Sequence, residues 1–362
     1  MLKHNKNFLL LGKTGVGKSS LINLILGKDV VKTGAGKPVT QEGKWQEEVC
    51  PSPFEDNATL TFFDSWGLEA NKADEWKSLV RTKLQSNWDT KMICGIIYCF
   101  NYAPDRMEDF EFDMLRCLLN TGYKVLIVLT NVESATNDMR QRHALRIKNE
   151  LADKYANQYA VAEVCNIEDK KKTGEIIKKT GREDVLKILS EFSTDNLYTI
   201  YCKGLDKIHS EIGKKIQKRL NALIKSPTLD DMHSIWKYIL PPMFGPVAGN
   251  LSIKSYQEQQ EVLKQDIEEL KKEVMDNLET FGEVFTSIYN ISFKTKILSF
   301  WDKIKAYLSS GRNIDKKQAD LAENYISSLR NLQRAIDENI EQLKKDKREV
   351  FFRLSKQRHI NR

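Results

Sequence analysis

The sequence predicts an α/β domain, a mainly parallel sheet with helices on both faces, followed by an all-α helical bundle or hairpin. Three observations predict it. Over residues 1–200 short apolar runs alternate with amphipathic stretches, the rhythm of strand–helix–strand units. Between the first run and the first amphipathic stretch stands Gly12-Lys13-Thr14-Gly15-Val16-Gly17-Lys18-Ser19, a phosphate-binding loop of the form GxxxxGK[ST]. From about residue 200 glycine thins out and the apolar spacing settles at three and four, the period of a helix. Two domains follow, 1–200 and 201–362.

The first strand is Phe8-Leu9-Leu10-Leu11, an unbroken apolar run as expected of a strand covered on both faces. Ser19–Leu26 reads as the helix after it. Further strands are predicted at Leu60–Phe63, Ile93–Phe100, Val125–Leu129 and Val161–Val164, with helices at Ala73–Asn87, Asp109–Leu119 and Met139–Tyr159. A ligand of such a sheet sits at the carboxyl ends of the strands. In the second domain, Leu205, Ile208, Ile212, Ile216 and Leu220 mark one side of a helix over about Leu205–Ile224. Lys207, Lys214, Lys215 and Lys218 mark its other side, which is either a solvated face or a patch for a membrane or partner. Leu263, Ile267, Leu270, Val274, Leu278, Phe281, Phe285 and Ile288 form one stripe, and Ala322, Ile326, Leu329, Leu332, Ile336, Ile340 and Leu343 another. The second averages a 3.5-residue period, but a strict heptad would put Gln333 rather than Leu332 on the seam, so the coiled-coil match is loose. Gly311-Arg312-Asn313 reads as the turn between the stripes. The apolar, proline-broken stretch 238–248 is either a buried connection or a tip that dips into a bilayer.

The net charge of +7, from 57 basic and 50 acidic residues, argues against nucleic acid and leaves an anionic ligand or a membrane surface open. Cys50, Cys94, Cys99, Cys117, Cys165 and Cys202 form no CxxC pair; a reducing, cytoplasmic setting fits, with Cys94 and Cys99 as packed thiols. No apolar run reaches the ~18 residues needed to span a bilayer, and no leader-like segment precedes the first strand. Lys170-Lys171-Lys172 reads as a polar loop.

The chemistry concentrates in the first domain. The glycines of the loop let several backbone N–H groups point at one phosphate, beside a helix N-terminus of partial positive charge. Lys18 reaches the β- and γ-phosphates and the Ser19 hydroxyl ligates Mg²⁺. Asp64-Ser65-Trp66-Gly67 directly follows the strand Leu60–Phe63. There Asp64 can hold a water on Mg²⁺, and the Gly67 N–H can meet the γ-phosphate. Between the motifs, Gly36-Lys37-Pro38-Val39-Thr40-Gln41-Glu42 offers Thr40 as a second hydroxyl for Mg²⁺, with Thr33 as competitor.

In that order, GKTGVGKSS, GKPVTQE and DSWGLE resemble the GTPase domain of the Era-like and septin-like branch of the translation-factor-related P-loop GTPases, over about residues 8–190. The helical half is not covered. The resemblance implies GTP/GDP and Mg²⁺ as cofactors and two switch loops. It places Gly12 to Ser20 on the phosphates, Ser19, Thr40 and Asp64 on the metal, and Lys18, Thr40 and Gly67 at the reaction. The guanine-reading [NT]KxD appears as Thr130-Asn131-Val132-Glu133, with a carboxylate arm one methylene longer and no lysine stem over the base. Cys165-Asn166 stands where the second base-contacting loop belongs. Leu68 occupies the place of a water-orienting glutamine, and Gly15 that of a potassium-binding asparagine. Slow hydrolysis is therefore expected, assisted by a partner or by self-association, with Lys13, Lys37 and Arg106 as candidates to help. The expectation is a GTP-hydrolysing switch or assembly factor acting through the helical half. The alternatives are a nucleotide-binding scaffold with little hydrolysis and a dynamin-like, peripherally membrane-bound GTPase.

Overall fold

The structure, a computed structural model, describes residues 5–31, 45–53, 59–65, 69, 72–85, 92–102, 107–151, 153–170, 176–224, 256–289 and 318–360. The stretch 238–248 and the 311–313 turn lie outside them. In chain order the elements are β1 (Asn5–Gly12), α1 (Lys18–Leu26), β2 (Trp45–Pro51), β3 (Thr59–Ser65), α2 (Ala73–Gln85), β4 (Ile93–Asn101), α3 (Asp109–Leu119), β5 (Val125–Thr130), α4 (Asn137–Leu151) and β6 (Tyr159–Glu163). A small ribbon follows, β7 (Asp169–Lys170) and β8 (Ile176–Ile177), and then α5 (Arg182–Ile224), α6 (Tyr256–Tyr289) and α7 (Gln318–Ile360). The chain forms two compact units, one built mainly on Met1–Ile200 and the other on Tyr201–Thr286 and Ile291–Arg348. The division falls inside the continuous helix α5.

Six strands of the first unit form one sheet in the order β2-β3-β1-β4-β5-β6. β1 pairs in parallel with β3 and β4, and β4-β5-β6 continue in parallel; β2 runs antiparallel to β3. The sheet thus grows outward on both sides of β1, and the phosphate loop leaves its carboxyl end where the strand order reverses. The parallel strands are apolar on both faces: Leu9, Leu10, Ile96, Ile97, Leu126 and Ile127 are all fully covered.

Three differences from the sequence-based reading have local causes. β2 carries Glu47, Val49 and Pro51 outward and pairs on one edge only, so it has no apolar run to mark it. The helix predicted to reach Tyr159 stops at Leu151; a 3₁₀ turn at Asp153–Tyr155, with Tyr155 Oη donating to Asn120 at 2.8 Å, turns the chain into β6. Lys170 lies in β7, paired with Ile176, rather than in a loop.

In the second unit ten members of the expected stripes are buried, Ile267, Leu270, Val274, Leu278 and Phe281 on α6 and Leu329, Leu332, Ile336, Ile340 and Leu343 on α7; Ile326 is half-buried, and the side chains of Leu263, Phe285, Ile288 and Ala322 lie outside those described. Leu332 is fully covered, while Gln333 is half-buried beside His209 of α5 and donates to Asp337, so Leu332 and not the heptad position Gln333 fills the core. The helix predicted at 205–224 is the later part of α5. Arg219 and Tyr201 of α5 meet Asp266 and Phe281 of α6, while Asp206 and His209 meet Lys344 and Asp337 of α7. Rising numbers on α5 meet falling numbers on both partners. α6 and α7 therefore each run antiparallel to α5 and parallel to each other, which makes the unit a bundle and not a hairpin of the two stripes.

Candidate functional site

β1 ends in Gly12, whose φ of 142° is open to glycine, and a Cβ there would stand 2.6 Å from the Cys99 carbonyl oxygen of β4. Gly17, in the left-handed region at φ 89°, caps α1. Between the two, the loop ends at the N-terminus of α1, which carries partial positive charge. Lys18 is buried and folds back over the loop, its Nζ donating to the carbonyls of Gly12 at 3.1 Å and Lys13 at 3.0 Å. Burial holds its pKa down, and the nearby Asp64 carboxylate opposes that shift.

Ser19 Oγ donates to Asp64 Oδ2 at 3.1 Å. Asp64 is 2% exposed, and its Oδ1 is buried with no hydrogen-bond partner among the described residues. Burial pushes its pKa up to about 6; Lys18 and the Ser19 hydroxyl pull down and Glu48 of β2 adds upward pressure. A hydroxyl beside a carboxylate with an unmet oxygen fits a hard divalent cation. Among the described residues no three His, Cys, Asp or Glu side chains gather as a metal cage, so such a cation would complete its shell with phosphate and water.

The other end of the site is built by the loops after β5 and β6. Thr130 is fully buried and its hydroxyl donates to Val16 O at 2.6 Å, with Phe100 O beside it at 3.1 Å, tying β5 to the phosphate loop. Asn131 takes a left-handed φ of 57° and donates to Asn101 Oδ1 at 2.7 Å. That turn starts the 3₁₀ segment Val132–Ser134 carrying Glu133, whose Oε2 is buried without a hydrogen-bond partner among the described residues. Cys165 N–H and C=O pair with Thr180 at 3.2 Å each, which fixes the loop. Burial first, and the Glu133 carboxylate second, push the Cys165 thiol up to about 11, so it stays protonated, its sulfur 3.3 Å from Ile167 O. Asn166 is 5% exposed and its Nδ2 donates to Gly17 O at 3.3 Å.

The fold thus brings together Gly12, Gly17, Lys18, Ser19, Asp64, Thr130, Glu133, Cys165 and Asn166. Thr14, Gly15, Val16 and Ser20 complete the turn and the first helical residues. Lys13 turns away: its Nζ pairs with Glu108 Oε1 at 2.7 Å, and the Glu108 N–H is held by Glu111 Oε2 at 3.0 Å. Thr33, Lys37, Thr40, Gly67, Leu68 and Arg106 lie outside the described residues. Sequence reasoning missed Glu48, Asn101, Glu108 and Arg140. Asn101 was within reach of it, since it ends β4 in register with Thr130. Arg140 donates from α4 to Val132 O at 3.2 Å and pairs with Glu163 at 3.3 Å, bracing the base-side turn, and no motif marks it.

Residues 7–131 match the family described as 50S ribosome-binding GTPase. This stretch is a GTPase domain of that family. The GTPase domain is similar to GTPase Der of Buchnera aphidicola, 24% identical over 136 residues, covering 36% of this chain and 27% of Der. It is also similar to the probable GTP-binding protein EngB of Koribacter versatilis, 25% identical over 144 residues, covering 39% of this chain and 69% of EngB. The chain thus spans about a quarter of the length of Der. Among solved structures, Toc33 from Arabidopsis thaliana in complex with Mg²⁺ and GMPPNP has 16% identity and a TM-score of 0.40, over 54% of this chain and 85% of that one. The family match ends at residue 131 and leaves the helical unit outside it.

Proposed function

We propose that this protein binds GTP and GDP with Mg²⁺, hydrolyses GTP to GDP and phosphate, and uses the nucleotide state to control its helical half as a switch or assembly factor. The observation that carries the reading is the phosphate loop with Lys18 at its centre and the Ser19–Asp64 pair beside it. The names of the similar proteins, a GTPase and a GTP-binding protein, support it. Lys18 carries the charge for the β- and γ-phosphates and the loop amides hold their oxygens. Ser19 and Asp64 would hold Mg²⁺, which when bound neutralises phosphate charge. Thr40 and Gly67 take the switch positions. The unmet Glu133 Oε2 can accept from guanine N1–H and N2–H₂, with Asn131, Cys165 and Asn166 shaping the same end.

Turnover is slow in a lone chain, because Leu68 cannot orient water and Gly15 offers no cation ligand. Help in trans, by self-association or a protein partner, is the source of faster hydrolysis; of the candidates Lys13, Lys37 and Arg106, Lys13 is engaged by Glu108 within the chain. Leu68 also supports the second reading, a scaffold that holds nucleotide with little turnover. A membrane surface fits the exposed Lys214 and Lys218 of α5; no helix of the described residues is long and apolar enough to cross a membrane.

Titration with GTP, GDP and ATP in Mg²⁺ tests the reading. GTP and GDP bind at least tenfold tighter than ATP, and Lys18→Ala removes roughly a hundredfold or more of GTP affinity by losing charge-assisted hydrogen bonds. Equal affinity for ATP sinks the guanine assignment. Unchanged binding by Lys18→Ala sinks the site. A per-molecule hydrolysis rate that stays flat as protein concentration rises overturns assistance in trans.

A further inference from the structure

We infer that Asn166 is a positioning residue that aims a phosphate-binding amide from the base-side loop, so that the two ends of the site are mechanically one. The inference rests on the proposed nucleotide site and adds a role to one residue of it.

The argument starts from the planarity of the peptide bond. In a trans peptide the C=O of one residue and the N–H of the next point in opposite directions. Whatever holds a carbonyl of the phosphate loop outward therefore aims the following N–H inward. Thr130 Oγ holds Val16 O at 2.6 Å, which aims the Gly17 N–H. Asn166 Nδ2 holds Gly17 O at 3.3 Å, which aims the Lys18 N–H. The two consecutive carbonyls are gripped by residues from the ends of two different strands, β5 and the loop after β6.

The Asn166 Nδ2 is placed for this, while its Oδ1 is buried without a hydrogen-bond partner among the described residues. Asn166 is 5% exposed, and its amide nitrogen would lie 3.0 Å from a Cβ on Gly17. Gly17 O already accepts the first turn of α1 from the Leu21 N–H at 2.9 Å, so Asn166 supplies the second bond to the same oxygen. The loop that carries Asn166 is itself pinned through the paired backbones of Cys165 and Thr180. Gly17, at φ 89°, has no side chain to brace its own peptide, and the bracing comes from outside.

The test compares GDP with inosine diphosphate, which lacks the exocyclic amine of guanine, on the intact chain. A residue that aims a phosphate donor acts on both nucleotides alike. Asn166→Ala is expected to weaken both by about tenfold, the scale of one hydrogen bond, leaving the ratio of the two affinities at its parent value. Asn166→Asp is nearly isosteric, puts an acceptor against the Gly17 carbonyl, and is expected to lose more. Its melting temperature, measured without nucleotide, separates lost binding from lost folding. A drop in the GDP-to-IDP ratio would show a base contact and overturn the positioning role, as would parent-like GDP binding by both variants. If the parent itself fails to bind GDP, the nucleotide reading falls, a result distinct from a binding parent with unaffected variants.

Discussion

Two buried aspartates, one in each unit, show how differently the units use charge. Asp64 ends β3 in the α/β unit and is 2% exposed; Asp266 lies on α6 in the helical unit and is 1% exposed. Asp266 is gripped by the Arg219 guanidinium, with Nε at 2.8 Å from one oxygen and Nη2 at 2.8 Å from the other. Asp64 has one oxygen on Ser19 and the other unmet among the described residues. The first is a carboxylate whose bonds are complete without any ligand, and it fixes how α5 lies on α6. The second is held in a burial that penalises its charge, a penalty that a bound cation would relieve.

The largest effect should come from breaking the complete pair. Asp266→Ala leaves the Arg219 guanidinium partly buried without its counter-charge, and about 3–5 kcal/mol of stability is expected to go. Replacing both, Arg219→Leu with Asp266→Leu, should recover most of it, since a buried pair is worth little against an apolar one. Denaturant midpoints followed by circular dichroism at 222 nm measure both. If the double variant is as unstable as the single, Asp266 has a role beyond the pair.

Asp64 should behave in the opposite way. Its pKa, raised to about 6, lies above the unfolded value of about 3.9, so folding holds the proton and the ionised form is penalised. The penalty is absent below about pH 4, grows as pH rises to about 6, and is constant above that. Asp64→Asn removes it. Without Mg²⁺ or nucleotide, the variant is expected to be about 3 kcal/mol more stable than the parent at pH 7, with the gap closing by pH 4. The same variant should lose Mg²⁺-dependent nucleotide affinity. A gap that does not change between pH 4 and pH 7 would show that Asp64 carries no penalty.

The two aspartates were unequally legible. Asp64 could be read because a motif fixes it: an apolar strand, a phosphate loop upstream and a glycine three residues on. The parallel strands were legible for the same kind of reason, since burial on both faces writes an unbroken apolar run into β1, β4 and β5. Edge pairing writes no such run, and β2 escaped notice together with Glu48, which bears on Asp64. Asp266 could not be read at all, because its partner lies on another helix and no spacing rule joins Arg219 to it. The helical stripes told which residues are buried, but not that α6 and α7 both oppose α5. Apolar periodicity names a face and leaves its partner open. The base-side loop fell between the two cases. Cys165-Asn166 was placed by its position after the strand Val161–Val164, where the resembling family has a base-contacting loop, while the grip of Asn166 on Gly17 depends on a register that only the fold supplies.

The smallest effect should come from the exposed counterpart of the Arg219–Asp266 pair. Lys344 of α7 donates to Asp206 of α5 and to Glu341 on its own helix, at 2.6 Å each. Burial lowers its pKa, but the two carboxylate hydrogen bonds outweigh that and leave it raised. The stem is 18% exposed, while Asp206 and Glu341 are 58% and 72% exposed. Both carboxylates are therefore well solvated, and water screens most of the attraction. Lys344→Met keeps the apolar stem over the helix surface and removes only the charge. Its cost is expected to stay below about 1 kcal/mol at low salt and to vanish near 1 M salt, where the screening length is about 3 Å. The loss in Asp266→Ala, which comes from desolvation, should persist at the same salt. Denaturant midpoints of both variants at low and high salt make the measurement. A salt-insensitive loss of several kcal/mol in Lys344→Met would place that lysine with Asp266 among the groups that hold the bundle together.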